Sequence, residues 1–185
     1  MDDGIIASRY ADALLKYVLE NGDGEAVCAQ AVLLEKSLSE LPDLAMILET
    51  PEEIPDDAKI GLIASAVGGK MEDGFERFVR MVFENRRVPL LRMMLRDFII
   101  RYQRSQGKVK GHLRVVTAPP ESLLEKLRSL VKAKTGLDAE IETTIDPSLI
   151  GGFVFDIDDY LIDASIVRQL DRIRAQFVDN NRRIV

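Results

Sequence analysis

The sequence predicts a mainly α fold: a six-helix bundle over residues 1–105, then a small α+β domain over 106–185 with a β-hairpin and a C-terminal helix. Apolar residues recur at helical spacing through the first hundred positions. The pattern then changes to strand alternation after Ser105-Gln106-Gly107. Proline or glycine marks most of the expected element ends.

Ile5 to Leu19 opens the chain with two adjacent apolar stripes. One is Ile6, Tyr10, Ala13 and Tyr17; beside it run Ala7, Ala11, Leu14 and Val18. That face is wider than one bundle contact needs. Asn21-Gly22 ends this helix, and Glu25 to Leu38 forms the next. Pro42, Pro51 and Pro55 bound a short third helix and lead into a fourth, Asp56 to Val67, which Gly68-Gly69 stops. Asp73 to Asn85 and Val88 to Gln103 complete the six, and the short connections favour antiparallel neighbours.

Val109 to Thr117 reads as a strand. Pro120 to Lys134 reads as a helix with Leu123, Leu127 and Leu130 on one face, Lys132 and Lys134 in its last turn, and Gly136 after it. Ala139, Ile141, Thr143 and Ile145 alternate as a second strand. Then comes DPSLIGGFVFDIDDYLIDASIVRQL, Asp146 to Leu170. Pro147 pushes Asp146 out of the helical region and favours a turn. Gly151-Gly152 suits a positive φ or a close backbone approach. Phe153, Phe155 and Ile157 alternate with Val154, Asp156 and Asp158 at strand period. Asp158-Asp159 serves as a hairpin turn and Tyr160 to Ile162 as the return strand. Asp163 or Ser165 can cap the last helix, whose stripe is Ile166, Leu170, Ile173 and Phe177.

The chain has 185 residues, 46% of them hydrophobic and 30% charged, an ordinary globular composition. No run reaches the roughly 18 apolar residues of a membrane span. The acidic start lacks the basic region of a signal peptide. A single cysteine, Cys28, excludes an internal disulfide and fits a reducing compartment. The net charge of −6 is uneven: Leu38 to Glu76 holds ten acids against two bases, Arg86 to Arg114 nine bases against one acid. Such asymmetry marks either a partner surface or solvated helix faces.

The expected chemistry is sparse. VGGK, Val67 to Lys70, lacks both the leading glycine and the following Ser or Thr of a phosphate loop. Asp156, Asp158, Asp159 and Asp163 miss the spacing of a calcium loop, which would need glycine at Leu161, so turn and cap duties explain them. Cys28 and His112 have no local support as nucleophile and base. Along the basic stretch Val88, Leu91, Leu95, Phe98 and Tyr102 share a narrow arc, while Arg92, Arg96, Arg101 and Arg104 spread around the remainder. That is a solvated face, and a pI of about 5.0 speaks against nucleic acid. The wide first-helix face admits two readings: a helix central to its bundle, or a groove for a partner helix walled by Tyr10, Ala13, Leu14 and Tyr17.

SRYADALL (Ser8 to Leu15), FENRRVPLL (Phe83 to Leu91) and DPSLIGGFVF…YLIDASI, taken in this order, resemble the delta subunit family of bacterial rotary ATP synthase, relatives of the mitochondrial oligomycin-sensitivity-conferring protein. Asp158-Asp159 departs from the family's usual Gly-Asp turn, and Asp156 stands where a basic or apolar residue is commoner. The resemblance implies a non-catalytic stator subunit of a proton-translocating ATP synthase, without cofactor or metal, monomeric when isolated and not inserted in the membrane. It implies a place at the cytoplasmic face of the bacterial plasma membrane. Its N-terminal domain would grip the N-terminal helix of an alpha subunit between the first and fifth helices, adding Phe78, Met81 and Val82 to the groove. Its C-terminal domain would grip the b subunits of the peripheral stalk. There the structural motif is Asp146, Pro147, Gly151, Gly152, Ile162, Asp163 and Ser165. Two rival classes are a small enzyme with a site assembled only in space, and a helical adaptor of an unrelated complex.

Overall fold

Six α-helices fill the first part of the chain: α1 (Asp3–Asn21), α2 (Gly24–Glu40), α3 (Pro42–Glu49), α4 (Asp56–Ala66), α5 (Asp73–Glu84) and α6 (Leu91–Ser105). The computed structural model describes residues 3–50, 54–157 and 160–182, with side chains described to residue 174. Pro51, the Asp158-Asp159 turn and the side chain of Phe177 therefore lie outside the described residues. The chain divides into two units, Met1–Ser105 and Gln106–Val185.

Local chemistry explains the helix ends of the first unit. Pro42 stands in the first turn of α3, where its missing N–H costs nothing. After α4 the Gly69 N–H donates to the Ala64 carbonyl at 2.7 Å and the Gly68 N–H to Ser65 at 3.3 Å. These are the crossed bonds of a Schellman stop, made possible by positive φ at both glycines. VGGK thus ends a helix. The single helix expected from Val88 is a 3₁₀ turn, Val88–Leu90, followed by α6. Pro89 lacks the N–H that would continue a regular ladder.

The core of this unit is apolar and continuous. On α5, Phe75, Phe78, Val79, Val82 and Phe83 are all buried, a full amphipathic face. α6 packs on α1 and α2 through Leu91, Met94, Leu95 and Phe98. Its arginines are not simply solvated. Arg92 and Arg96 approach Glu35 of α2 at 3.2 and 3.7 Å, and Arg101 donates to Asp12 and Ser8 of α1, both at 2.7 Å. The basic stretch therefore fastens α6 to its two neighbours.

The second unit runs β1 (Lys108–Val115), α7 (Glu121–Thr135), β2 (Asp138–Ile145), a 3₁₀ turn Pro147–Leu149, β3 (Phe153–Ile157), β4 (Tyr160–Asp163) and α8 (Ile166–Arg182). The sheet order is β2-β1-β3-β4. β1 and β2 pair in parallel, as a strand–helix–strand unit requires, while β1–β3 and β3–β4 are antiparallel. Ile157 pairs with Tyr160 across the hairpin. On α7 the buried face is Leu127 and Val131, whereas Leu130, expected on that face, is exposed. Val131 follows Leu127 by one turn and keeps the arc that packs into the core of the second unit. Val154, expected opposite the core face of β3, is buried as well, so β3 is apolar on both faces there.

Candidate functional site

The two stripes of α1 separate cleanly. Ala7, Ala11, Leu14 and Val18 are buried in the core. Ile6, Tyr10 and Tyr17 are half-buried and Ala13 is exposed, so the second stripe stays at the surface. It lies along α5. The Tyr10 and Phe78 rings meet edge to face at 6.4 Å between centroids. Tyr17 lies against the backbone of Gly74, where an added Cβ would stand 2.5 Å from its ring. Numbers fall on α1 as they rise on α5, so the helices are antiparallel. Tyr10 and Tyr17 are seven residues apart, about 10 Å along the helix, with Ala13 as a low seat between the rings.

Of the other expected wall residues, Met81 is exposed, while Leu14, Phe78 and Val82 are buried. Those three belong to the core of the helical unit. Sequence reasoning missed Arg87. Its Nη1 donates to the Tyr10 hydroxyl at 3.0 Å and its guanidinium carbon lies 5.2 Å from that ring's centroid. Arg87 thereby sets a positive charge over the Tyr10 ring and holds its rotamer. The preceding Arg86 carries φ 54°, which aims the turn so that Arg87 can reach α1. The only sequence signal for this was the Asn85-Arg86-Arg87 run itself.

The second candidate region is the corner at Asp146–Ser165. Asp146 and Asp163, at its two ends, do the same job. Asp146 Oδ1 accepts from the Ser148 N–H at 3.0 Å and hydroxyl at 2.6 Å; Asp163 Oδ1 accepts from the Ser165 N–H at 3.0 Å and hydroxyl at 2.7 Å. The Ser165 hydroxyl in turn accepts from the Arg168 N–H at 3.2 Å, so Ser165 caps α8 and Asp163 holds the cap. These serine bonds pull both carboxyls below the ordinary aspartate range, with the Arg114 charge on β1 a smaller aid to each. Gly152 has φ +78°, and a Cβ there would collide with the Ala164 carbonyl oxygen. Between them Ile150 takes φ 62° and ψ −35°, and the Gly151 N–H reaches back to the Leu149 carbonyl at 2.6 Å. That is a strained γ-turn centred on a β-branched side chain which is itself exposed. Pro147 opens the 3₁₀ turn, and Ile162 pairs with Phe155 and packs on the second core.

Cys28 is buried in α2, while His112 is exposed on β1 in the other unit, 3.5 Å from Glu142. Among the described residues no three His, Cys, Asp or Glu groups are placed to hold a metal ion, and no helix is long and apolar enough to cross a membrane.

The profile of the ATP synthase delta (OSCP) subunit family matches residues 6–177. Among curated relatives, ATP synthase subunit delta of Phocaeicola vulgatus is 39% identical over 183 residues, 98% of each chain. The protein of the same name from Bacteroides fragilis is 36% identical over the full length of both. A chain in the cryo-EM structure of the Toxoplasma gondii mitochondrial ATP synthase hexamer shares the fold with a TM-score of 0.66 at 18% identity, covering 93% of this chain and 97% of that one.

Proposed function

We propose, since this chain belongs to the ATP synthase delta (OSCP) subunit family, that it is the non-catalytic stator subunit joining the catalytic head of a rotary ATP synthase to its peripheral stalk. The observation that supports this best is the second stripe of α1, only half-buried, with Tyr10 and Tyr17 laid along α5 at Phe78 and Gly74. A six-helix N-terminal bundle grips the N-terminal helix of an alpha subunit there, and residues 106–185 grip the b subunits. Leu14, Phe78 and Val82 support the groove from beneath. The protein sits peripherally at the cytoplasmic face of the plasma membrane.

Torque on the rotor acts back on the head, so an untethered head would turn and transmit no work. The tether must release far more slowly than the rotor turns, which places the demand on the dissociation rate. Holding two partners through two domains raises the effective concentration of each within one assembly. No bond is made or broken by this chain in that role; it needs rigidity, and the Asp146–Ser148 and Asp163–Ser165 turns brace the second unit internally.

The test is calorimetric titration of the full chain with a synthetic peptide of the alpha subunit's N-terminal helix. Saturable binding that Tyr10→Asp weakens at least a hundredfold is expected, because the new carboxylate would be desolvated in an apolar seat. Equal affinity in a folded Tyr10→Asp chain would remove the groove from the proposal.

A further inference from the structure

A second surface of the helical unit, apart from the α1–α5 groove, is built to be covered. α3 is eight residues long and buries only Leu48 fully. Met46 is 65% exposed, and Leu41, just before the helix, is 57% exposed. At 100° per residue Met46 points away from Leu44 and Leu48, with Glu49 on one flank and Asp43 on the other. Beside this ridge lies a cavity of about 200 Å³, lined by Ala45, Leu48 and Glu49 of α3, Val88 and Pro89 of the 3₁₀ turn, and α2 and α6 residues. No residue of α1 or α5 lines it. It is large enough for one aliphatic or aromatic side chain.

The charge around it is one-sided. Asp43 and Glu49 have no ion-pair partner among the described residues. Arg92, the cation at the cavity wall, is already bound to Glu35 and to Ser39 at 3.0 Å. Leu38 to Glu76 contains two lysines, and one of them, Lys59, is 2% exposed with its ammonium donating to the Leu48 and Thr50 carbonyls. A lone exposed methionine would need no explanation. An apolar ridge, an adjoining cavity and unanswered carboxylates on both flanks together do.

We infer that the α3 ridge and its cavity form a second docking seat, for a cationic amphipathic helix of a partner protein. One apolar anchor of that helix enters the cavity between Ala45 and Pro89, a second covers Met46, and Lys or Arg side chains meet Asp43 and Glu49. Apolar anchors flanked by charge are how grooves read a helix. This seat is independent of the stator reading, which concerns a different pair of helices.

The probe is a synthetic 18-residue leucine–lysine helix with the leucines on one face, and its control is the same peptide with glutamate for lysine. The full chain carries labelled methionine methyl groups, which report Met46 and Met81 separately. Addition of the lysine peptide should shift the Met46 signal, saturably and in a salt-dependent way, and the glutamate peptide should not. Glu49→Lys should weaken binding about tenfold, whereas Glu125→Lys on α7, the same charge change on an exposed residue, should leave it within twofold. A Met46 signal that stays still, a shift confined to Met81, or equal effects of the two substitutions would overturn the inference. Glu49→Gln, an isosteric change at an exposed side chain, serves as the check if the reversal disturbs folding, with a loss of about threefold expected and no loss counting against it.

Discussion

Gly152→Ala isolates the corner on which the second unit turns. The new methyl would collide with the Ala164 carbonyl oxygen and stand 3.1 Å from both the Ala164 carbonyl carbon and the Ser165 Cα. All three are backbone atoms, so no side chain can swing aside; the β4–α8 junction itself must move. That displacement costs about 1–3 kcal/mol, the range for forcing extra volume into packed structure. The backbone at φ +78° adds about 1–2 kcal/mol for any residue with a Cβ. Against this, alanine stiffens the unfolded chain and returns about 0.4–1 kcal/mol. The net loss is about 1–4.6 kcal/mol, a large share of what an 80-residue unit holds at roughly 0.05–0.15 kcal/mol per residue. Amide spectra recorded through a urea titration read the two units separately. The midpoint of the β1 to α8 signals should fall by about 1 M or more, taking a slope near 1 kcal/mol/M for a unit of this size. The signals of α1 to α6 should not move. A shift below about 0.5 M in the second unit, or an equal shift in both, would refute the reasoning.

Other substitutions test other parts of the structure. Lys59→Met should cost the helical unit about 1–3 kcal/mol in thermal unfolding, because the Leu48 and Thr50 carbonyls at the end of α3 lose their donor inside the protein; an unchanged midpoint would show that water reaches them. Ile150→Gly should raise the stability of the second unit by up to about 1 kcal/mol by relaxing the γ-turn at an exposed residue, and any loss in urea would show the strain is not there. Asp146 and Asp163 are both held below the ordinary aspartate range by serine, so their contribution is fully present above the unfolded value near pH 4 and disappears as pH falls through the lower folded values. Asp163→Asn should therefore flatten the acid loss of the second unit below pH 4 in circular dichroism melts, and an unaltered acid limb would contradict the assignment.

Much of the fold was legible because local chemistry and tertiary packing agree. Gly68-Gly69, Pro42 and Ser165 act in the structure as turn and cap rules require. Misreadings arise where packing chooses between neighbours. Leu130 and Val131 are both apolar, and only the position of the sheet decides which one is covered. Val154 looked solvent-facing by alternation, and burial on both faces of β3 is a property of the whole sheet. The arginines of α6 looked free because Glu35 and Asp12 are more than fifty residues away in sequence. The surface of α1 was half legible. Period showed two stripes on α1, but periodicity cannot say which of them faces the core. Arg87 escaped notice because its partner, Tyr10, is 77 residues distant.

The most direct test of the tethering role is ATP-driven proton pumping by membranes stripped of this chain and then resupplied with it. Stripped membranes should keep hydrolysing ATP but pump no protons, and the wild-type chain, but not Tyr10→Asp, should restore pumping in proportion to the head groups rebound. Pumping that survives removal of the chain, or rebinding of the head that leaves pumping absent, would contradict it.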